Sequence, residues 1–155
     1  MTVTACTDAA ALRVDTNVPR VASEYRSVTA VAVGVLIRSS GEFLLTTRPQ
    51  GKAYAGHWEF PGGKLESGET VAQALTRELE EELGIRIHEP ELWREQVVDY
   101  PHALVRLHFC KVRHWDGELQ MREGQTFSWQ KLPVTVHPVL AGTLPVLNWL
   151  SENEG

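Results

Sequence analysis

Residues 62–85 read GGKLESGETVAQALTRELEEELGI, and the flanking sequence is best read from this stretch. Residues 70–83 carry a helical pattern. Thr70 is placed as N-cap, with Gln73 three residues on to complete a capping box. Gly84 stands where a helix commonly ends on a left-handed residue, a conformation glycine adopts without strain. At ~100° per residue with Glu78 set to zero, Glu82 falls at about 40° and Glu81 at about −60°. The three carboxylates thus share one arc roughly 100° wide, whereas Glu80 lies at about 200° and belongs in solvent. Val71, Ala72, Leu75, Leu79 and Leu83 form an apolar stripe beside that arc, between about 20° and 140°.

An acidic arc bordering a buried stripe carries a cost. Like charges three and four residues apart repel by roughly 0.2–0.5 kcal/mol per pair when exposed, and by more where solvent screening falls. Arg77, four residues before Glu81, offsets part of this. A bound hard cation would offset more, and carboxylate and carbonyl oxygens suit Mg²⁺ or Mn²⁺. A bare run of glutamates is equally consistent with a solvated helix face, so the weight falls on what surrounds it.

Upstream, SVTAVAVGVLIR (27–38) is β-branched and apolar, and EFLLTTR (42–48) follows a Ser-Ser-Gly turn. The two read as strands paired in a hairpin. Next comes a polar, glycine-rich loop, RPQGKAYAGHWEFPGGKLESGE, whose 22 residues are long for an idle connection. Downstream, residues 92–100, 103–115 and 126–130 read as strands, and TLPVLNWLSE (143–152) as a closing helix with Pro145 in its first turn. Strands and two helices in this order make an α/β domain with helices packed on a sheet. Residues 1–25 are mixed and non-periodic, and read as a loosely ordered arm with some helix near Ala9–Val14; residues 26–155 form the domain.

The 155 residues suit one domain, and 43% hydrophobic with 23% charged residues is ordinary for a globular chain. The net charge of −5 argues against long nucleic acid as partner, although a metal can supply positive charge locally for a nucleotide. Cys6 and Cys110 show no metal-ligand spacing and read as an incidental thiol and a buried hydrophobe. No apolar run reaches membrane-spanning length and the N-terminus does not read as a signal peptide, so no membrane is expected and a cytoplasmic location is. The histidines, His57, His102, His108, His114 and His137 among them, show no ligand spacing on a helix and read as surface or strand residues. The five tryptophans read as core and edge anchors. Oligomeric state stays open between monomer and homodimer.

The decisive pattern is Gly63, five residues, Glu69, seven residues, Arg77-Glu78-Leu79, one residue, Glu81-Glu82, one residue, Gly84-Ile85. Seven fixed residues at average frequencies of ~7% each give a chance match of about 10⁻⁸ per start position. This run resembles the Nudix box at every position. The resemblance implies an α/β/α sandwich around a mixed β-sheet and metal-dependent hydrolysis of a nucleoside diphosphate linked to another moiety, with Mg²⁺ as cofactor and Mn²⁺ as the alternative. It also implies residue roles. Glu78, Glu81 and Glu82 match the family's metal ligands, and Gly63 matches the residue that turns a carbonyl toward the metal. Arg77 matches a residue that orients a helix glutamate, and Glu69 one that braces the loop. Lys64 is placed to meet a phosphate or is a solvated surface lysine.

Outside the box, GHWEFPGGKLESGE and WDGELQMREGQTFSW resemble the MutT branch, the pyrophosphohydrolases that clear oxidised guanine nucleotides. That likeness implies attack at the β-phosphorus, releasing nucleoside monophosphate and pyrophosphate. It points to Glu123 as a further metal ligand or base, against an ordinary loop glutamate. Glu78 is the favoured base, with Glu81 and Glu123 also in the catalytic set. Arg48 matches an arginine on the α-phosphate, against a strand-end salt bridge; Phe60 matches a base-pocket wall, against plain core packing. One departure matters: where that branch carries an asparagine that reads the oxidised base, this chain has Thr143. A hydroxyl cannot span two base positions as an amide does. Pyrimidine-specific CTP or dCTP pyrophosphohydrolases are therefore the competing reading, and a non-catalytic nucleotide sensor is the alternative from another class.

Overall fold

A computed structural model describes residues 11–20 and 26–153. The elements are β1 (Leu12–Arg13), β2 (Val28–Leu36), β3 (Phe43–Thr47), β4 (Trp58–Glu59), β5 (Gly62–Lys64), α1 (Val71–Leu83), β6 (Arg86–His88), β7 (Glu91–Asp99), β8 (Leu104–Val112), β9 (His114–Asp116), β10 (Phe127–Gln130) and α2 (Leu144–Asn153), the last entered through a 3₁₀ turn at Ala141–Thr143. The main sheet is mixed, in the order β1-β7-β8-β2-β5. Its centre is the parallel pair of β2 and β8, joined over nine residues from Val28↔Leu104 to Leu36↔Val112. A smaller antiparallel sheet runs β10-β3-β4, and β6 pairs with β9.

The period-two alternation of β2 sorts its side chains onto two cores. Ala32 and Leu36 meet Ala74, Leu75, Leu79 and Leu83 of α1, while Val33, Val35 and Ile37 meet Phe60, Phe109, Val146 and Leu150 on the α2 side. A helix thus lies on either face of the sheet. Full burial of Leu75, Leu79 and Leu83 contributes roughly 1.5–3 kcal/mol each before chain entropy is charged. The ends of α1 are as the sequence implies. Gln73 N donates to Thr70 Oγ1 at 3.1 Å and Thr70 N to Gln73 Oε1 at 2.9 Å. Gly84 closes the helix at φ 70°, donating to Glu80 O at 3.0 Å.

Two expectations fail. The hairpin of β2 and β3 does not form a ladder: a tight turn, with Arg38 N bonded to Glu42 O at 2.9 Å, is followed by one bridge, Ile37↔Phe43. Both edges of β2 are taken, by β8 and β5, so β3 turns away and pairs with β10 and β4. The helix expected near Ala9–Val14 is also not seen in its described part. Leu12–Arg13 run parallel to the edge of β7, Leu12 opposite Val98, because that edge offers unpaired backbone groups; Ala9 and Ala10 lie outside the described residues, as does Cys6. Cys110 is a buried free thiol, and burial pushes it up to about 11. The tryptophans pack on the two main cores, as expected. Among the described residues no helix is long and apolar enough to cross a membrane.

Candidate active site

One cleft of about 660 Å³ opens between β5, α1, the loop after β3 and the 3₁₀ turn before α2. It brings together Gly63, Glu78, Glu81, Glu82, Glu123, Arg48, Phe60, Lys64 and Thr143. Every predicted catalytic, metal-binding or substrate-binding residue therefore lines one cavity, although they span 96 positions from Arg48 to Thr143. Arg77, Glu69 and Gly84 are not among its lining residues.

The helix glutamates are set by their neighbours. Strand β5 runs against β2 with Gly63 opposite Ala32. A Cβ on Gly63 would lie 2.2 Å from Glu78 Cδ, so the Glu78 carboxylate rests directly on a backbone that only glycine leaves open. Arg77 gathers the surrounding charge. Its Nε and Nη2 hold both oxygens of Glu69, at 2.6 and 2.9 Å. Its Nη1 donates to Glu78 Oε2 at 3.0 Å and reaches Glu81 Oε1 at 3.5 Å. Its Nη2 also donates to the carbonyl of Lys64 at 3.0 Å. Helix, loop and β5 are thus tied through one guanidinium, which matches a carboxylate in a two-pronged way. The same guanidinium, with the backbone N–H of Glu66, holds the Glu69 carboxyl down at about 2.

Glu82 has the opposite environment. Its side chain is buried among carboxylates, and its pKa is pushed up to about 9 by burial first, then by a hydrogen bond with Glu78 and the charges of Glu123 and Glu78. Lys52 opposes this rise. Glu81 is 60% exposed at the rim, and Glu80 faces solvent as expected.

Glu123 arrives from a loop that caps α1. The last turn of α1 has no basic residue of its own. Instead Gln120 N donates to Leu83 O at 2.8 Å, Arg122 N to Glu82 O at 3.1 Å, and Arg122 Nη1 to Glu80 O at 3.0 Å. These bonds satisfy carbonyls that a helix end leaves unpaired and bring a cation to the negative end of its dipole. Glu123 follows directly and faces Glu82. Its own N–H is held by Gln125 Oε1 at 3.0 Å.

The donor set fits a hard divalent cation: the carboxylates of Glu78, Glu81, Glu82 and Glu123, beside a glycine backbone, offer oxygen ligands and outnumber the cations Arg77 and Lys52 that face them. Among the described residues the carboxylates are gathered rather than closed on one point. Glu78 is drawn to Arg77 and Glu81 turns outward.

The substrate-side residues are placed less simply. Arg48 donates through Nη1 to Glu59 Oε1 at 3.1 Å and through Nε to Ala53 O at 2.6 Å. It therefore makes the strand-end salt bridge while lining the cleft. Burial raises Glu59, against the pull of Arg48. Phe60 is 4% exposed and packs on Phe43 with ring centroids 5.7 Å apart, so it is core as well as wall. Thr143 is buried, and its N–H is used by Leu140 O at 2.8 Å, which leaves the hydroxyl as its polar contribution. Sequence reasoning missed Tyr100 and Gln125, both buried on the cleft, and it missed Lys52, Tyr54 and Glu59. It also placed His102 as surface or strand, whereas His102 lines the cleft. Tyr100 is pushed up to about 12, chiefly by burial, and its oxygen accepts from Gly142 N at 3.0 Å. Tyrosine in a cleft loop carried the only sequence signal for Tyr54, and nothing local marked Tyr100.

Residues 28–149 match the NUDIX domain. The chain belongs to the NUDIX family. An 8-oxo-dGTP diphosphatase of Haemophilus influenzae is 40% identical over 123 residues, covering 79% of this chain and 88% of that protein. The CTP pyrophosphohydrolase of Escherichia coli is 35% identical over 116 residues, covering 74% and 86%. Among solved structures, a MutT protein from work on Aliivibrio salmonicida and Vibrio cholerae superimposes with a TM-score of 0.67 at 31% identity, covering 82% of this chain and 99% of that one. The mixed sheet flanked by helices is thus the fold of the family, and this protein is a Nudix hydrolase, an enzyme type that acts on pyrophosphate bonds with a divalent metal.

Proposed function

We propose that this protein hydrolyses nucleoside triphosphates to nucleoside monophosphate and pyrophosphate, using Mg²⁺ or Mn²⁺, and that oxidised purine nucleotides such as 8-oxo-dGTP are its substrates. The observation that carries the reading is the joining of Glu78, Glu82 and Glu123 with Arg48, Phe60 and Thr143 in one nucleotide-sized cleft. Glu78, Glu81, Glu82, Glu123 and the Gly63 carbonyl are the groups that would hold the metal. When bound, the cation supplies charge neutralisation on the phosphates and a more acidic attacking water. Glu78, held by Arg77 and seated on Gly63, takes the proton from that water; Glu123 is the second candidate. Arg48 and Lys64 meet the phosphates, and the Phe60 edge of the cleft meets the base.

A second reading is favoured by Thr143. Its backbone N–H is committed and its hydroxyl offers one position of contact, so the base edge is read less fully than an amide would read it. A CTP or dCTP pyrophosphohydrolase therefore stands beside the first reading, as it does among the relatives. The sensor reading lacks support, because every glutamate of the box is present. In the cell we place the protein in the cytoplasm, acting as a monomer or homodimer through residues 26–155. The test is a substrate panel with Mg²⁺: the common nucleoside triphosphates, 8-oxo-dGTP, ADP-ribose and a dinucleoside polyphosphate, followed by pyrophosphate and phosphate release. Selective pyrophosphate release from 8-oxo-dGTP is expected. Preference for CTP or dCTP moves the assignment to the second reading, and no turnover of any member overturns both.

A further inference from the structure

The segment before the family-matched domain packs against residues that line the cleft. Residues 12–20 precede Val28, where the NUDIX match begins. They are fastened by an unusual concentration of arginines on one carboxylate. Asp99 takes Arg26 Nη1 at 2.8 Å, Arg13 Nε at 3.2 Å and Arg20 Nε at 3.4 Å. Arg20 also binds the carbonyls of Val14, Asp15 and Asp99, at 2.6, 3.1 and 3.2 Å. The turn at 14–20 is therefore held in shape and pinned to the end of β7. Leu12 and Val14 pack against a small core of Val98, Tyr100 and Leu140, which also receives Tyr54, Val105 and Leu107. Five of these residues, Tyr54, Tyr100, Val105, Leu107 and Leu140, line the cleft.

The same turn presents one polar contact to the cleft loop: Tyr54 donates its hydroxyl hydrogen to Asp15 Oδ2. Both partners are strained. Asp15 has φ 51° and Tyr54 has φ 60°, in the left-handed region that non-glycine residues rarely adopt. Among the described residues Glu89 is the only other such case. Two strained residues from distant segments, joined to each other, place one aromatic ring. That ring stands 5.6 Å from Tyr100 and 5.8 Å from His102, centroid to centroid, and the three line the cleft together. These rings contrast with the carboxylates that would engage phosphates through a metal, and an aromatic wall suits a nucleobase or sugar.

We propose that Asp15 is a positioning residue for the substrate: through Tyr54 it fixes an aromatic wall of the cleft, so that residues 12–20 take part in binding the nucleoside portion. The inference rests on the nucleotide reading above. The test compares wild type with Tyr54→Phe, Asp15→Ala and the double variant, using the best triphosphate of the panel. It records KM and kcat, inhibition by the matching nucleoside monophosphate, and inhibition by pyrophosphate. Each single variant is expected to raise KM and the monophosphate inhibition constant about three- to tenfold, the size of one net hydrogen bond, with pyrophosphate inhibition unmoved. The double variant should be no worse than either single one. Asp15→Asn, which tolerates the left-handed backbone and keeps an acceptor oxygen, should recover most of the loss. A Tyr54→Phe protein with unchanged KM and unchanged monophosphate inhibition overturns the proposal, whether or not its Tm falls, because that is the result of a purely structural strap. Pyrophosphate inhibition shifting in step with the monophosphate overturns it too. Wild type failing on every nucleotide removes the nucleotide reading and this inference with it; active wild type with unmoved variants removes this inference alone.

Discussion

Replacing Glu82 with glutamine separates the charge of the acidic cluster from its shape. Glu82 is 9% exposed and its carboxyl is pushed from 4.5 to about 9, by burial first and then by Glu78 and Glu123. A carboxyl whose folded pKa is raised costs no stability below its unfolded pKa and costs progressively more as pH rises toward the folded one. At pH 7 the unfolded chain has released a proton that the folded protein retains. The interval from 4.5 to 7 is about 2.5 pH units, and at ~1.4 kcal/mol per unit this bounds the cost at roughly 3 kcal/mol. Solvent relaxation around the cleft reduces it, and a gain of about 1–3 kcal/mol is expected for Glu82→Gln at pH 7 with metal chelated. For a chain of this size that is a Tm rise of roughly 3–10 °C. The wild-type Tm in EDTA should fall from pH 5.5 to pH 8.5, the Glu82→Gln protein should lose most of that slope, and millimolar Mg²⁺ should flatten the wild-type slope as well. Thermal unfolding at three pH values, with and without Mg²⁺, reads all of this. A variant less stable than wild type in EDTA at pH 8.5, or a wild-type Tm indifferent to pH, refutes the reasoning.

Removing Arg77 as Arg77→Ala strips the partners from Glu69 and Glu78 and should cost about 1–3 kcal/mol in urea unfolding; Arg77→Lys should not restore turnover, since an ammonium cannot span both oxygens of Glu69. Gly63→Ala sets a methyl 2.2 Å from Glu78 Cδ. Because Glu78 can swing aside, the circular dichroism spectrum should persist while kcat falls by about 100-fold. Thr143→Asn adds an amide to the cleft wall and should raise the ratio of kcat/KM for 8-oxo-dGTP over dGTP by about tenfold, measured by competition of the two substrates.

The parts of this protein legible in its sequence are those set by local chemistry. The capping box at Thr70, the left-handed Gly84 and the acidic arc of α1 depend on residues within a few positions of one another, and all three stand as read. The strands β7, β8 and β10 were legible from their composition. Pairing was not. Whether β3 joins β2 is decided by β8 and β5 occupying both edges of β2, and β8 lies about seventy positions downstream. The strand at Leu12–Arg13 exists because β7 has an open edge and Asp99 draws Arg13, facts external to the segment that carries them. At the site, four-residue spacing paired Arg77 with Glu81 and the family resemblance marked Glu69, but nothing marked Arg122: its work is to bind the Glu80 carbonyl at the end of a helix 42 positions earlier. Tyr100 enters the site through the Gly142 backbone, equally remote.

The proposed function requires Glu78 and its neighbours to act through a bound divalent cation. Mn²⁺ binding, followed by electron paramagnetic resonance, and nucleotide turnover should be titrated together in wild type and in Glu78→Gln. Turnover should rise in step with Mn²⁺ occupancy, vanish in EDTA, and fall by at least about 100-fold in Glu78→Gln with the fold intact. Full turnover in EDTA, or a Glu78→Gln protein that hydrolyses nucleotide as fast as wild type, contradicts the claim.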